Sequence, residues 1–373
     1  MKLAISTGGG DAPGLNAVIR AVVLTAVQRG WQVFGIPRGY GGLLEEAAQT
    51  LPQRREGDAP RGLLPLGPAE VRGITHLGGT ILGTTNQGNP FQWVERTRDG
   101  IAVTEDRSGH VLSAFRTLGL DALIAIGGDG SLTIASGLFR MGLPVVGVPK
   151  TIDNDVVGTE SSLGFETAVA TATDALDRIH TTAESHDRVF VVELMGRETG
   201  WIALHSGLSG SADVILIPEI PFDIDRVAEK VLERERRGRR FSIVVAAEGA
   251  RPRGGSMVYR EAASPGRQER LGGIAEEVAK ELGKRTGKET RSLVLGHLQR
   301  GGSPNNFDRL LALRFGSAAV RAVGEGDFGC SVVYTPPTVS RLPLAEIVGK
   351  TKTVPLDSGI IMTARNLGIS LGD

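Results

Sequence analysis

Short apolar runs recur along this chain, each closed by glycine and followed by a stretch with apolar residues at helical spacing. Leu3-Ala4-Ile5-Ser6 predicts a strand. Gly8 to Gly14 then reads as a loop, and Leu15 to Arg29 as a helix, with Val18, Val22 and Ala26 on one face and Gly30 as its stop. Trp31 to Ile36 predicts a second strand. The cycle repeats at Ala122 to Ile126, Gly127 to Gly130 and Ser131 to Arg140, and Pro144 to Val148 adds another strand. Further strands are expected at Val189 to Glu193, Val214 to Ile217, Ser242 to Ala247 and Ser292 to Leu295, with helices at Asp225 to Arg237 and Ile274 to Leu282. Alternation of this kind implies an α/β fold, with parallel sheets covered by helices on both faces. Pro52 to Pro68, rich in Pro, Gly, Arg and Glu, reads as a surface loop.

At 373 residues the chain is longer than one compact domain usually carries, so two domains are expected. Lys plus Arg and Asp plus Glu number 42 each, a balance that gives no sequence-wide pull toward nucleic acid or an anionic membrane. A local basic pocket for a small anion remains compatible with it. The single cysteine, Cys330, allows no internal disulfide and no multi-cysteine zinc site. Met1 to Gly8 is too briefly apolar for a secretion signal, and no apolar stretch is long enough to span a bilayer. A cytoplasmic protein is the expectation. The basic run Arg234 to Arg240 reads as the solvated end of a helix, where cations suit the dipole.

Glycine is in excess, with 52 residues, and it clusters after apolar runs, where backbone turns tightly or approaches a ligand. Gly9 and Gly14 have the spacing of a P-loop, but Leu15 and Asn16 stand where Lys and Ser/Thr are required, and Pro13 breaks the dinucleotide fingerprint. A glycine loop opening a helix survives, able to cradle phosphate or simply to turn. In Gly127-Gly128-Asp129-Gly130-Ser131 an acid flanked by glycines can hold Mg²⁺ near phosphate oxygens, or cap a helix. Lys150-Thr151-Ile152-Asp153-Asn154-Asp155 sets two carboxylates in a loop expected to be extended, so that they face similar directions and perturb each other's pKa. Arg188, Arg197, Arg291, His297 and Arg300, with Glu248, lie near strand ends. Gathered, the arginines suit a phosphorylated substrate; singly, each suits a surface ion pair.

Together these motifs resemble the phosphofructokinase family. The matching segments are Gly9 to Asn16, Gly127 to Ser131, Pro149 to Asp155, Met195-Gly196-Arg197 and Leu295 to Pro304, in family order, over roughly residues 1 to 320. The resemblance implies two similar three-layer domains with mainly parallel sheets and the active site in the cleft between them. Residues 1–164 plus about 299–345 would bind donor and Mg²⁺; residues 165–298 plus the C-terminal tail would bind fructose 6-phosphate. Asp153 matches the general base that takes the proton of the 1-hydroxyl, Asp129 the Mg²⁺ site, and Asp155 a supporting carboxylate. Gly10, Gly128, Gly130 and Ser131 match the donor site, and Thr151, Met195, Gly196, Arg197, Glu248, His297 and Arg300 the sugar-phosphate site. Arg188 and Arg291 match arginines supplied by a neighbouring subunit, which implies a homotetramer or homodimer.

The family's pattern is mixed at the donor. Gly130 is the ATP-type residue, and Lys150 the pyrophosphate-type residue. ATP is the expectation because a side chain at position 130 would meet the body of a nucleotide, whereas either donor tolerates a lysine. Asn86 stands where many bacterial members have an arginine that bridges both substrates, and Lys150 is expected to replace its charge. Leu24 occupies the place of an effector-binding arginine, which argues against the usual regulation, and no role is assigned beyond about residue 345. NAD kinases and lipid kinases share a Gly-Gly-Asp-Gly loop but would not explain Met195 to Arg197 or His297 to Pro304. A non-catalytic sugar-phosphate sensor on the same fold is the alternative from another class. Intact Asp129, Asp153 and Asp155 speak against it.

Overall fold

Two β-sheets organise the chain in the computed structural model, which describes residues 1–44, 62–96, 102–261 and 270–373. The larger sheet begins with β1 (Lys2–Thr7), β2 (Gln32–Ile36) and β3 (Leu64–Leu66). A separate antiparallel ribbon of β4 (Trp93–Arg96) and β5 (Ala102–Glu105) follows, and β6 (Ala122–Gly127) and β7 (Val145–Pro149) return to the sheet. The second sheet takes β8 (Val189–Leu194), β9 (Val214–Leu216) and β10 (Ser242–Ala247). After a small ribbon of β11 (Tyr259–Glu261) and β12 (Arg270–Leu271), β13 (Thr290–Val294) completes it. Finally β14 (Cys330–Thr335) and β15 (Thr338–Pro343) cross back to the first sheet.

The larger sheet runs β15-β14-β7-β6-β1-β2-β3, parallel throughout except for its two antiparallel edge strands. The smaller, β13-β8-β10-β9, is wholly parallel. Strand alternation explains why both sheets are covered on both faces. Leu3, Ile5, Ile124 and Ile126 pack on one side with the helices Leu15–Val27 and Asn306–Glu325, while Ala4, Leu123 and Ala125 pack on the other with Leu132 and Phe115. In the second sheet Val192, Leu194, Val245 and Ala247 face one core, and Val191, Val244 and Ala246 the other. At Gly316 the two helices of the first core approach so closely that a Cβ would lie 2.6 Å from that of Ala21.

Each strand expected from the sequence is present within a residue or two, and Gly30, at φ 74°, stops its helix as expected. Two differences stand out. Residues 64–66 of the expected surface loop form the edge strand β3, because Leu66 is drawn into the core; residues 52–61 lie outside the described residues. No helix is expected from the sequence at Phe165–Ser185 or Asn306–Glu325, and small residues such as Ala168, Ala172, Ala318 and Ala319 supply much of their buried faces. The basic run does end a helix, Ile224–Arg236, although Arg234 is half-buried in an ion pair with Asp213 at 2.6 Å. Among the described residues no helix is long and apolar enough to cross a membrane.

Candidate functional site

Parallel strands deliver their following loops to one edge, so β1, β6 and β7 place the glycine loop, Asp129 and the 150–155 loop together. The chain leaves β7 through Lys150, whose N–H donates to the Gly127 carbonyl at 2.9 Å. The next residues are not extended as the sequence suggested. Asn154 turns the chain at φ 53°; its amide donates to the Glu160 carbonyl and its oxygen accepts the Ser162 N–H at 3.0 Å. Asparagine tolerates this left-handed conformation because its side chain replaces lost backbone partners.

The turn buries Asp153, which is 2% exposed. Its N–H donates to Thr151 Oγ1 at 3.1 Å, and its Oδ2 lies 3.8 Å from Arg300 Nη2. Neither Asp153 Oδ1 nor Asp155 Oδ1 has a hydrogen-bond partner. Burial first, and the charge of Asp155 second, push the Asp153 carboxyl up to about 6, against the pull of Arg300 and Arg197. Asp155 therefore perturbs Asp153, as expected from the sequence, without the extended backbone.

Asp129 is the first residue of the helix Asp129–Arg140, with Gly128 as the N-cap. Its carboxylate does not cap that helix; it accepts the N–H of Gly349 at 3.3 Å. Burial raises its pKa most, Gly349 opposes, and Asp155 adds to the rise. Among the described residues no three His, Cys, Asp or Glu side chains converge tightly enough to hold a metal alone. The two acids Asp129 and Asp155, close enough that the charge of Asp155 acts on Asp129, are of the donor type that a hard cation such as Mg²⁺ takes while keeping waters. Gly130 is exposed, and a Cβ there would meet nothing within 4 Å.

Lys150 is buried beneath the glycine loop. Its Nζ donates to the carbonyls of Gly8, at 3.0 Å, and Gly10. Burial, then Arg300, bring its pKa down to about 8, while Asp11, Asp153 and Asp155 pull upward. Arg300 donates to the Asp11 carbonyl at 3.1 Å, and a Cβ on Gly10 would lie 2.9 Å from its Nη1, so a side chain there would displace the guanidinium. Ser131 fills the space that side chains at Gly8 and Gly127 would need. Thr84 donates to the Gly9 carbonyl and Thr85 accepts the Gly9 N–H, while Asn86 points to solvent. Asn16, which broke the P-loop pattern, clamps the 77–81 turn: it donates to Leu77 and Gly78 and accepts from Ile81.

The second sheet contributes from its own carboxyl edge. After β8 come Met195 and Gly196, where a Cβ would lie 2.5 Å from the Thr199 carbonyl, and then Arg197 at φ 52°. The Arg197 N–H donates to Glu248 Oε1 at 3.0 Å, at the exit of β10. Burial carries the Glu248 carboxyl up to about 7, opposed by that N–H and raised further by Asp153. His297, exposed in the short 3₁₀ helix Gly296–Gln299, and Arg300 follow β13.

Arg188 and Arg291 are not brought here. Arg188 precedes β8 and Arg291 lies near the start of β13, at the opposite sheet edge, where both pair with Glu289. Within one chain the surface ion-pair reading of these two arginines holds.

Sequence reasoning missed two contributors. The Thr199 hydroxyl donates within 3.1 Å of the carbonyls of both Asp153 and Gly196, joining the loops of the two sheets. The tail, to which no role was given, runs past the site: Gly349 bonds Asp129, the Lys352 N–H donates to the Asp155 carbonyl at 2.9 Å, and Val354 bonds Glu219. A threonine hydroxyl and bare backbone amides carry no motif, so only the fold reveals them.

A model of the family described as phosphofructokinase matches residues 2–323. A protein of Chloroflexus aurantiacus named ATP-dependent 6-phosphofructokinase is 50% identical over all of this chain and 98% of its own length. A Streptomyces coelicolor protein named pyrophosphate–fructose 6-phosphate 1-phosphotransferase is 49% identical over 95% of this chain and 96% of its own. Among solved structures, Pichia pastoris phosphofructokinase in the T-state superposes with a TM-score of 0.77 at 33% identity, covering all of this chain and 38% of that one. With a match of this extent to the family model, and relatives of this identity over their full length, the chain belongs to the phosphofructokinase family.

Proposed function

We propose that this chain transfers a phosphoryl group from ATP to the 1-hydroxyl of fructose 6-phosphate, giving fructose 1,6-bisphosphate in cytoplasmic glycolysis. The observation that carries this reading is Asp153: a buried carboxylate with one unpaired oxygen, flanked by Asp155, Arg197 and Arg300. Asp153 takes the hydroxyl proton as the sugar oxygen bonds to phosphorus, and the donor's bridging oxygen leaves with its electrons on ADP. Thr151, Met195, Gly196, Arg197, Glu248, His297 and Arg300 hold the sugar phosphate; Gly10, Gly128, Gly130 and Ser131 receive the donor. Asp129, with Asp155 near it, would hold Mg²⁺, which when bound neutralises donor phosphate charge. Two units are proposed: residues 1–164 with about 299–345 around the larger sheet, and residues 165–298 with the tail around the smaller.

The pyrophosphate-dependent reading is favoured by Lys150 and by the likeness to the Streptomyces coelicolor protein named for that activity. The Lys150 ammonium is engaged with the glycine-loop carbonyls, which supports a role in holding that loop for either donor. Initial rates with fructose 6-phosphate, Mg²⁺ and either ATP or pyrophosphate test the choice. Turnover with ATP only is expected; turnover with pyrophosphate only rejects it. Binding of fructose 6-phosphate without turnover on either donor would favour the sensor.

Lys150→Met is expected to lower kcat/KM for the donor at least about tenfold, because two half-buried carbonyls lose their partner and the loop its cation. An unchanged value rules out the idea that Lys150 replaces the arginine missing at Asn86.

Arg188 and Arg291 are proposed to complete the phosphate site of a neighbouring subunit in a homo-oligomer. Mixing Arg291→Ala with Asp153→Asn chains by unfolding and refolding together forms sites with wild-type residues at both positions. Activity should exceed either parent at least about tenfold, as each parent lacks a charge-assisted or acid–base contribution. No gain in a mixture shown to contain hybrids rejects shared sites.

A further inference from the structure

A separate cavity of about 260 Å³ adjoins the 150–155 loop, and of that loop only Asn154 reaches its wall. Five rings line it: Phe165, Trp201, His205, Phe307 and Tyr334. Phe165 meets His205 edge-on at 5.1 Å, and Phe307 meets Tyr334 at 6.0 Å. Ser161, 5% exposed, also lines it, and its hydroxyl has no hydrogen-bond partner.

Two carboxylates share this wall, Glu160 and Glu166. Neither forms an ion pair with another described residue, and burial, reinforced by Asp308, holds the Glu166 pKa up. The nearest cation, Lys352, stands 4.9 Å from the Trp201 ring centroid and donates to the Thr159 and Glu160 carbonyls rather than to a carboxylate. Burial and Lys352 favour the neutral form of His205. Arg314 lies over the lining ring of Tyr334, 5.4 Å from its centroid, and Asp308 acts on Glu166, so the surroundings carry three acids against two cations. An anion is disfavoured here, and the volume is small for a nucleotide.

We propose that this cavity binds a small organic monocation, a primary alkylammonium. Its N–H groups would donate to Glu166 and to the unpartnered Ser161 hydroxyl, and its alkyl chain would lie against the apolar wall that Phe165 and Phe307 supply. The occupant would rest on the 159–162 turn, whose Glu160 carbonyl and Ser162 N–H fix Asn154 between Asp153 and Asp155. The site does not depend on the phosphotransfer reading.

Titrating the full-length protein with n-butylammonium chloride at constant ionic strength tests this, read by tryptophan emission and by calorimetry. A saturable emission change is expected that Trp201→Phe removes, with binding at least about fivefold weaker for n-butanol and absent for butyrate. Glu166→Gln should weaken butylammonium at least about tenfold, the size of a charge-assisted hydrogen bond; Glu160→Gln, on the exposed turn, is the second variant. No saturable binding, equal binding of n-butanol, a response that survives Trp201→Phe, or indifference to both glutamine variants overturns the proposal.

Discussion

Asp153→Asn should turn over fructose 6-phosphate at least about 10³-fold more slowly than the parent while remaining folded, because a positioned general base contributes 10²–10⁴ to such steps. Asparagine keeps the shape and removes only the basic oxygen. The loop should hold, since the Asp153 N–H to Thr151 and the Thr199 bond to the Asp153 carbonyl involve backbone that the substitution leaves intact. Substrate KM should change little, as the sugar phosphate is assigned to other side chains. A variant retaining more than a tenth of parental kcat rejects Asp153 as base.

The pH dependence separates this base from other groups. Its carboxyl, pushed up to about 6, must be ionised to accept a proton, so activity rises as pH rises through about 6 and flattens above. Phosphate monoesters also titrate near 6, but that limb belongs to the substrate and persists in Asp153→Asn. The limb that disappears is the one owed to Asp153. Stability runs the other way: a folded pKa above the unfolded 3.8 means that the native state holds the extra proton, so this carboxyl's contribution is lost as pH rises between 3.8 and about 6.

Much of this was legible because parallel sheets write a plain signal. Buried strands are continuous apolar runs, and Leu3 to Ser6, Ala122 to Ile126 and Ser242 to Ala247 stand out with glycines marking their exits. Side chains in motifs could be placed at the carboxyl edge for the same reason. What stayed hidden depends on tertiary approach. Asn154 bends the loop that sequence read as extended, since its left-handed turn is stabilised by Glu160 and Ser162 several residues on. Arg188 and Arg291 share a composition with Arg197 and Arg300, and only the strand register sends the first pair to the far edge. The tail reaches Asp129 and Asp155 through main-chain N–H groups, which every sequence possesses.

Gly130→Asp should lower kcat/KM for ATP at least about 100-fold, roughly 2.7 kcal/mol of transition-state stabilisation, without loss of the fold. The fold tolerates it because the position is exposed, a Cβ there meets nothing within 4 Å, and an acid in a helix's first turn suits the dipole. The loss arises at the ligand. A carboxylate beside Asp129 would occupy the open side through which the nucleotide body must pass, and would repel its phosphates. Pyrophosphate has no such body, so any rate it supports should fall far less or rise. The ratio of ATP to pyrophosphate rates is therefore the informative readout, since a general loss of Mg²⁺ affinity would depress both together. A parallel fall in both rates would mean that position 130 acts through the metal site. An unchanged ATP rate would mean that the nucleotide does not pass Gly130, and donor choice would then rest with Lys150 and the glycine loop it holds.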